Sequence, residues 1–263
     1  MIVDGRAIAE DIYEGLKREV HALGRAPVLS IITCSPNFET KKYLELKRKK
    51  AAAIGIETAL MELAVDCSTD DARRAAEGAA STADGVIVQL PFPSGVDIAS
   101  VLAAVPTSCD VDALNPETTA VHSPVVAACE ELLMRGGVAV KGTSAVVVGQ
   151  GRLVGIPVAK WLEAEGACVT VYSEKSAVDT SVLQAADIII SGAGDPGFLK
   201  PDMIKEGVVI IDAGTSEEGG ELRGDADPAC AKKAALFTPV PGGVGPVTVA
   251  MLLKNVVKLA ELH

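Results

Sequence analysis

The stretch SAVVVGQGRLVGIPVAKWL, residues 144–162, decides the fold class of this chain. Its glycines, Gly149, Gly151 and Gly155, stand between a short run of valines and an amphipathic segment. The valine run predicts a strand buried on both faces, and the apolar spacing after Gly155 predicts a helix. Glycine suits such a turn because the backbone bends tightly there and can approach a diphosphate, which the free N–H groups at the start of a helix would hold. The stretch therefore predicts the strand–turn–helix unit of a dinucleotide-binding domain.

The residues that follow strengthen this prediction, although the glycine spacing is one residue longer than the usual G-x-G-x-x-G. A second strand, CVTVYS at 168–173, follows the helix and ends at Ser173. Glu174 comes nineteen residues after Gly155, where an acid can accept a hydrogen bond from the ribose 2′-hydroxyl of NAD. Lys175 is adjacent and can instead pair with the 2′-phosphate of NADP. Two alternatives stay open: glycines that only form a tight turn, and a Glu174 that is an ordinary solvated loop acid.

Helix-like and strand-like segments alternate on both sides of this stretch. Short apolar runs that predict strands are VLSIIT, ETALMEL, GVIVQL, DIIISG and GVVIIDAG. Segments with helical spacing are IAEDIYEGLKREV, YLELKRKKAAAIG, DDARRAAEGAA, VDTSVLQAA and the final GPVTVAMLLKNVVKLAELH. Short Val/Ile runs between helices are typical of parallel sheets covered on both faces. The alternation, interrupted at 112–126 and 135–144, predicts an α/β protein of two three-layer domains with an active-site cleft between them.

The composition limits the function classes. The chain has 263 residues with 24 Lys and Arg against 35 Asp and Glu, a net charge of −11. This acidity argues against nucleic-acid binding, whose affinity comes from phosphate neutralisation, and favours a small metabolite as the partner. The six cysteines are scattered without metal-ligand spacing, which predicts free thiols in a reducing compartment and no metal site. The sequence shows neither a signal peptide nor an apolar run of ~20 residues, so we expect a cytoplasmic protein with no membrane partner.

The basic run TKKYLELKRKK, residues 40–50, divides into two faces of a predicted helix. At about 100° per residue, Tyr43, Lys47 and Lys50 fall on one stripe with Ile54. The other cations point away from this stripe and form a solvated face: Lys41, Lys42, Arg48 and Lys49. A lysine on an apolar stripe either extends its ammonium to water or is held in a cleft with a lowered pKa, where it can act as a base. Both alternatives stay open for Lys47, and Tyr43 is either a core residue or a ring that stacks on a flat substrate.

Polar residues or breakers interrupt three other apolar segments. Gln89 lies near the end of the strand GVIVQL, and Pro91 prevents the strand from continuing. Asp110 and Asp112 fall in a loop, where acids most often form turns and caps. The segment FTPVPGGVGPVTVAML carries prolines and glycines directly before a predicted helix. It predicts a stiff loop whose backbone can closely approach a ligand.

The order of these motifs resembles one known family. YLELK at 43–47, VQLPFP at 88–93, DVD at 110–112, VVVGQGRLVG at 146–155 and TPVPGGVGPVTVAML at 238–252 are similar to the motifs of bifunctional methylenetetrahydrofolate dehydrogenase/methenyltetrahydrofolate cyclohydrolase, the FolD family. The resemblance covers nearly the whole chain. It implies that NADP or NAD oxidises 5,10-methylenetetrahydrofolate and that the methenyl cation is then hydrolysed to 10-formyltetrahydrofolate. It also implies a homodimer, with a folate-binding catalytic domain of residues 1–121 plus 247–263 and a Rossmann-type NAD(P)-binding domain of residues 122–246.

The resemblance implies a role for each matched residue. Lys47 is expected to activate water and to shuttle protons, and Gln89 to hydrogen-bond that lysine and set its protonation. Tyr43 is expected to pack on the folate, and Asp112 to hold its pterin ring. The substrate would also be bordered by Gly242, Gly243, Val244, Gly245 and Pro246. The implied cofactor-binding residues are Gly149, Gln150, Gly151, Arg152, Val154, Gly155, Ser173, Glu174, Lys175 and Ser123.

Two departures from the family pattern concern the choice of nucleotide. The family commonly has Arg or another phosphate ligand after the first glycine, where this chain has Gln150. It has Ser or Arg after the second strand, where this chain has Glu174. Both changes weaken the expected 2′-phosphate site and favour NAD, although Arg152 and Lys175 can compensate.

Two further departures concern the substrate and the hinge. VHSPVV at 121–126 keeps Ser123 and Pro124 of the family's P-C-T-P-x-G but lacks its Cys and Gly, and Ala113 replaces the Gly of D-V-D-G. The alternatives are a dehydrogenase of the same architecture that acts on another small substrate, and a nucleotide-binding protein without turnover. The intact set of Tyr43 and its matched partners favours the folate reactions.

Overall fold

The computed structural model describes residues 1–173, 178–218 and 221–262. The helices are α1 (Gly5–Ala22), α2 (Phe38–Ala53), α3 (Thr69–Ala80), α4 (Ile98–Ala103), α5 (Pro124–Arg135), α6 (Gly155–Ala164), α7 (Thr180–Ala185) and α8 (Val244–Ala260). The strands are β1 (Val28–Cys34), β2 (Glu57–Leu63), β3 (Gly85–Gln89), β4 (Ser144–Val148), β5 (Cys168–Tyr172), β6 (Ile188–Ser191), β7 (Val209–Asp212), β8 (Ser216–Glu218), β9 (Glu221–Arg223) and β10 (Leu236–Phe237). In these parts of the chain, no helix has the length and apolar character needed to cross a bilayer.

The chain divides into two compact units, each made of two chain segments. The first unit comprises Glu10–Pro124 and the chain from Val249 onward, and the second comprises Met1–Ala9 and Val125–Thr248. This division differs from the predicted boundaries at residues 122–124 and 247–248 and, most of all, in the first nine residues, which the prediction placed with the folate-binding domain. They belong to the second unit because the N–H of Val3 donates to the carbonyl of Phe237 at 2.9 Å, so the segment lies along β10.

The first unit is built on a parallel sheet with the strand order β2-β1-β3. One face of this sheet presents Ile32, Val86 and Val88 to α3, whose buried positions are all alanines. Side chains alternate along a strand, so the neighbouring residues point to the opposite face. Thr33 and Gln89 are register partners on β1 and β3 and share that opposite face, which α2 covers.

The second unit is built on a five-stranded parallel sheet with the order β10-β7-β6-β4-β5. The chain steps outward from β4 to β5 and then returns past β4 to β6, which makes the gap between β4 and β6 the topological switch point. Right-handed crossovers in opposite directions put α6 and α7 on opposite faces of the sheet. This arrangement confirms the predicted Rossmann-type architecture and the predicted strands of this half.

Candidate active site

The first predicted group of site residues comes together on one face of the first unit. Lys47, in the third turn of α2, donates from Nζ to Oε1 of Gln89 at the end of β3, at 2.9 Å. Only 6% of Lys47 is exposed, so its ammonium is not simply extended into water. The amide of Gln89 is oriented by its own Nε2, which donates to the carbonyl of Leu90 at 3.0 Å. The ring of Tyr43 lies one helical turn before Lys47, with its centroid 4.7 Å from Nζ.

Burial and one carboxylate set the electrostatics of this group. Burial lowers the pKa of Lys47 from its ordinary value of 10.5, and the charge of Asp112 partly opposes this shift. Burial raises the pKa of Asp112 to about 6, while Lys47 acts to lower it and Asp110 to raise it. Burial also raises the pKa of Tyr43 to about 12, and the charge of Asp112 adds to the effect. Because Asp112 acts on both Lys47 and Tyr43, the four predicted residues of this group form one cluster.

The loop that carries Asp112 is held by its neighbour Asp110. The Asp110 carboxylate is 3% exposed and accepts from the N–H of Asn115 and from Oγ1 of Thr118, each at 2.8 Å. Asp110 is therefore the turn-forming acid that the sequence pattern predicts, whereas Asp112 faces Lys47. Ala113, which stands where the family has Gly, adopts a left-handed conformation with φ of +50°. That backbone conformation explains why glycine suits this position.

The glycine turn of the second unit has the geometry that its sequence predicts. Gly149 has φ of +102°, and a Cβ on it would lie 2.6 Å from the carbonyl oxygen of Gly192. A Cβ on Gly155 would lie 1.8 Å from the carbonyl oxygen of Gly149, so the start of α6 packs directly on the turn. Gly151 is different because a Cβ there would meet nothing within 4 Å. Two of the glycines are thus required for packing, and the third leaves open space beside the turn.

This turn fits a nucleotide diphosphate. Val154 precedes α6 and makes no side-chain cap, so no side chain of the N-cap residue competes for the first amides of the helix. The open space at Gly151 and the positive φ of Gly149 let a ligand approach the backbone. Gln150, Arg152 and Ser173 are exposed. The two predicted residues at the ribose, Glu174 and Lys175, lie outside the described residues.

The proline and glycine loop before α8 belongs to the second unit. Gly242 has φ of +106°, and a Cβ on Gly243 would lie 2.6 Å from the carbonyl oxygen of Pro239. Val244, Gly245 and Pro246 form the first turn of α8. A cavity of about 250 Å³ opens beside Gly242 and is lined in part by Asp4, Arg6, Pro239 and Pro241. Arg6 is a cation at this loop that sequence reasoning missed, because only the fold brings the start of the chain to residue 242.

Ser123 is the one predicted cofactor residue that lies in the first unit. It is buried, with 8% of its surface exposed, and directly precedes α5. The predicted domain boundary placed it with the nucleotide-binding residues. Among the described residues, no three His, Cys, Asp or Glu side chains are grouped so that they could hold a metal ion.

Two family models match the chain on either side of residues 113–122. The model described as tetrahydrofolate dehydrogenase/cyclohydrolase, catalytic domain, matches residues 3–112. The model described as tetrahydrofolate dehydrogenase/cyclohydrolase, NAD(P)-binding domain, matches residues 123–263. This chain belongs to the tetrahydrofolate dehydrogenase/cyclohydrolase family. The catalytic-domain match includes the whole Lys47 cluster, and the NAD(P)-binding match includes the whole glycine turn.

Members of this family are similar to the chain over its full length. The bifunctional protein FolD of Halothermothrix orenii is 37% identical over 100% of this chain and 98% of its own length. The crystal structure of the bifunctional FolD enzyme from Campylobacter jejuni has a TM-score of 0.95 at 31% identity and covers 100% of this chain and 99% of its own. The FolD structure from Trypanosoma brucei, complexed with NADP and an inhibitor, has a TM-score of 0.92 at 36% identity and covers 100% of this chain and 97% of its own.

Proposed function

We propose that this chain oxidises 5,10-methylenetetrahydrofolate with NAD(P)⁺ and hydrolyses the resulting 5,10-methenyltetrahydrofolate to 10-formyltetrahydrofolate. One observation carries the residue assignment: a buried lysine whose ammonium donates to a neutral amide, Gln89, at 2.9 Å. A bifunctional FolD enzyme needs one group that can both take up and return a proton. The buried position of Lys47 and its lowered pKa suit that task. Membership of the family supports the reaction class, and the Lys47 cluster supports the site.

Lys47 serves the hydrolytic step. A neutral amine is required to remove a proton, and burial favours the neutral form of Lys47 by lowering its pKa. As water adds to the methenyl carbon, one of its two protons passes to Nζ. The ring nitrogen takes up a proton as its bond to that carbon breaks, and the hydroxyl group on the carbon loses its proton to become the formyl oxygen. The formyl group stays on the other nitrogen, and one proton is released overall. Oε1 of Gln89 accepts a hydrogen bond from both the charged and the neutral amine, so it holds Nζ in place through both proton transfers.

The dehydrogenase step requires no side chain that acts as an acid or a base. The nucleotide, when bound, accepts a hydride from the methylene carbon, and the protein contributes mainly by orienting the two reactants. Tyr43 offers the face of its ring to the folate, and 37% of its surface is exposed for such a contact. Asp112 binds the pterin, and the backbone of Gly149 and Gly151 holds the diphosphate. The loop Gly242–Pro246 borders the substrate.

Both nucleotides are candidates for this site, and the sequence favours NAD. Gln150 supplies no positive charge for a 2′-phosphate, and Glu174 supplies a negative one. Arg152 is exposed next to the glycine turn and supports the opposite choice. Initial velocities with NAD⁺ and NADP⁺ at equal concentration decide the matter, and a large preference for NADP⁺ would refute the assignment to NAD.

The compartment, the partners and the assembly of the enzyme are proposed from its composition and from its family. The six cysteines are free thiols, which supports a reducing compartment such as the cytoplasm. The net charge of −11 supports a partner other than nucleic acid. The usual assembly in the family supports a homodimer, and light scattering on the purified chain would test it.

A two-wavelength absorbance assay tests the function directly. Addition of methylenetetrahydrofolate and nucleotide should produce reduced nucleotide, and added methenyltetrahydrofolate should lose its chromophore as it is hydrolysed. Both signals are expected from the wild-type chain. A chain that binds nucleotide but gives neither signal would be a binding protein without turnover, and the proposal would be wrong.

Two matched substitutions on α2 test the role of Lys47. Lys47→Met should abolish hydrolysis while hydride transfer continues at a reduced rate, because only hydrolysis requires the base. Lys49→Met changes the same residue type on the exposed side of the same helix and should leave both activities unchanged. Full cyclohydrolase activity in Lys47→Met would exclude this lysine as the key group.

A further inference from the structure

Two buried carboxyl groups of the second unit have no part in the reactions described above. Asp212 is the last residue of β7, and Asp225 follows β9; each has only 1% of its surface exposed. Neither forms an ion pair with a lysine or arginine among the described parts of the chain. A buried carboxyl group without a cation is costly unless it accepts several hydrogen bonds. The donors that surround these two groups therefore indicate what they do.

Asp225 accepts hydrogen bonds from three donors, one in the last residue of β6 and two in the residues that follow it. Its Oδ2 accepts from Oγ of Ser191 at 2.6 Å and from the N–H of Ala193 at 2.8 Å. Its Oδ1 accepts from the N–H of Asp195 at 2.7 Å. One side chain thus fixes both ends of the short segment Ser191–Asp195, which makes no regular secondary structure beyond the strand itself.

The position of the Asp225 carboxyl group is itself closely determined. A Cβ on Gly214 would lie 2.2 Å from Cγ of Asp225, and a Cβ on Gly224 would lie 2.2 Å from Oδ2 of Asp212. Each carboxyl group therefore occupies space that only a glycine opposite it leaves free. Asp212 accepts from the N–H of Gly214 at 3.0 Å and from the N–H of Ala226 at 2.8 Å, which ties the residue after Asp225 to the end of β7.

The segment held by Asp225 packs against the glycine turn. The N–H of Gly192 donates to the carbonyl of Val148 at 2.8 Å. A Cβ on Gly192 would lie 2.6 Å from Cγ1 of Val154, and one on Gly149 would lie 2.6 Å from the carbonyl oxygen of Gly192. Because β4 and β6 flank the topological switch point, these two chain segments form the two sides of the crevice in which sheets of this type bind a nucleotide.

We propose that Asp225 is a positioning residue for the nucleotide: through Ser191, Ala193 and Asp195 it holds the segment after β6 against the glycine turn. The inference rests on the proposed function only in assigning the nucleotide to that turn. Asp225 acts through the backbone and need not touch the ligand. Loss of its carboxyl group leaves two partly buried amides and a buried hydroxyl without their acceptor and lets the segment move away from Gly149, so nucleotide affinity falls while the folate site of the first unit is unchanged.

Substitutions at Asp225 test the proposal in the full chain. Asp225→Ala is expected to raise KM for the nucleotide, and its Kd measured by NADH or NADPH fluorescence, about tenfold or more, since three hydrogen bonds to one carboxyl group are lost. KM for methylenetetrahydrofolate should change less than about twofold. Asp225→Asn keeps one acceptor oxygen and should restore part of the affinity.

Asp187 provides the matched control. Its Oδ2 also accepts from a backbone N–H, that of Ser144, at 2.9 Å, and its Oδ1 pairs with Lys205. It lies at the amino ends of β4 and β6, at the edge of the sheet opposite to the glycine turn. Asp187→Asn is expected to lower the melting temperature without changing KM for the nucleotide.

Three outcomes would overturn the inference. They are an unchanged nucleotide KM in a folded Asp225→Ala, equal effects on nucleotide and folate, and an equal rise of the nucleotide KM in Asp187→Asn. If neither Asp225 variant folds, Ser191→Ala decides, because it removes one donor only; a nucleotide KM raised about two- to threefold supports the proposal and an unchanged KM overturns it. Failure of the wild-type chain to bind either nucleotide would instead refute the proposed function.

Discussion

The amide at position 89 determines how Lys47 can titrate. A neutral acceptor holds Nζ without favouring the charged amine as strongly as a carboxylate would. The pKa of Lys47, already lowered by burial, can therefore stay in the range where the amine acts as a base. Glutamate has the shape of glutamine but a negative charge, and at position 89 it would favour the charged amine of Lys47. Substitution of Gln89 should therefore change the pH dependence of the hydrolytic step.

Gln89→Glu should move the pH dependence of the cyclohydrolase to higher pH. The added carboxylate, about 3 Å from Nζ, stabilises the ammonium and raises the pKa of Lys47. The rate of hydrolysis therefore begins to rise only at a higher pH. The pH–rate profile of kcat/KM for methenyltetrahydrofolate would show the rising limb displaced by about one pH unit or more. Gln184→Glu, a substitution of the same type in α7, should leave the profile unchanged. A profile shifted to lower pH in Gln89→Glu would contradict this account of Lys47.

Ala113 stores backbone strain next to Asp112. A left-handed φ costs a residue with a Cβ about 1–2 kcal/mol, and glycine avoids this cost but loses about 0.4–1 kcal/mol through its greater freedom in the unfolded chain. Ala113→Gly is therefore expected to stabilise the protein by about 0.5–1 kcal/mol in urea unfolding. Ala52→Gly, on the exposed side of α2, should destabilise it by about 1 kcal/mol. Destabilisation by both changes would show that Ala113 is not strained.

Sequence reasoning reached some site residues and missed others for identifiable reasons. The buried position of Lys47 was predictable because helical geometry separates it from the solvated cations around it, whereas its role came from the family resemblance and stays a prediction. Asp225 was not predictable, because a single acid between a glycine and an alanine has no periodic signal. Its significance comes from donors at the end of β6 and just after it, thirty or more residues away, and only the sheet brings them to it.

At the scale of elements, the glycine turn combines two requirements that substitution can separate. Gly155 has no room for a Cβ because the carbonyl oxygen of Gly149 would lie 1.8 Å from it. Gly151 has room, since a Cβ there meets nothing within 4 Å. Packing therefore requires glycine at position 155, whereas only an approaching ligand would require glycine at position 151.

Alanine substitutions at the two glycines should have different effects. Gly155→Ala must displace backbone and should lower the free energy of unfolding by at least about 1–3 kcal/mol. Gly151→Ala should leave stability within about 0.5 kcal/mol of the wild type but raise the nucleotide Kd. Thermal unfolding and a nucleotide titration on each variant would check both. A Gly151→Ala that binds nucleotide normally would mean that the ligand does not approach this residue.

Helices and strands that are long or have a regular apolar pattern were predicted best. The strands with continuous apolar runs, β1, β4 and β6, were predicted nearly to their ends. In α2 the helix is confirmed but its buried face runs through Leu44, Lys47 and Ala51, so it is rotated away from the predicted centre at Tyr43.

The elements that sequence reasoning missed share a weak local signal. α4 has six residues, too few for a period, and the antiparallel strands β8 and β9 have three residues each. α5 falls partly in a segment that the sequence pattern marked as a linker. β10 has two residues and becomes a strand only because β7 pairs with it.

At the scale of the whole molecule, the last helix completes the first unit. Nδ2 of Asn255 in α8 donates to the carbonyl of Val111 at 2.8 Å and to the carbonyl of His122 at 2.9 Å. A Cβ on Gly85 would lie 3.3 Å from Cγ2 of Val256, so α8 also packs closely on β3. The helix thus holds the chain immediately before Asp112, far from it in sequence.

Asn255→Leu should test this long-range support. It removes the Asn255 donor from the buried carbonyl of Val111 and from the partly buried carbonyl of His122, which should cost about 1–3 kcal/mol of the free energy of unfolding. KM for the folate should rise as well, because Val111 precedes Asp112. Lys254→Leu, at the neighbouring exposed position, should change stability by less than about 0.5 kcal/mol. If Asn255→Leu is destabilised but its KM for the folate is unchanged, then α8 stabilises the loop without determining the position of Asp112.

The pairing of Val3 with Phe237 has a consequence for how the protein is made. A ribosome releases the third residue long before residue 237, and at about 5–20 residues per second the delay is on the order of 10–50 s. Throughout that time Val3 lacks its partner Phe237, and the first unit still lacks α8. The second unit cannot be completed until residue 237 has left the ribosome, and the first cannot be completed until α8 has, so both units are expected to finish folding long after their first residues are made.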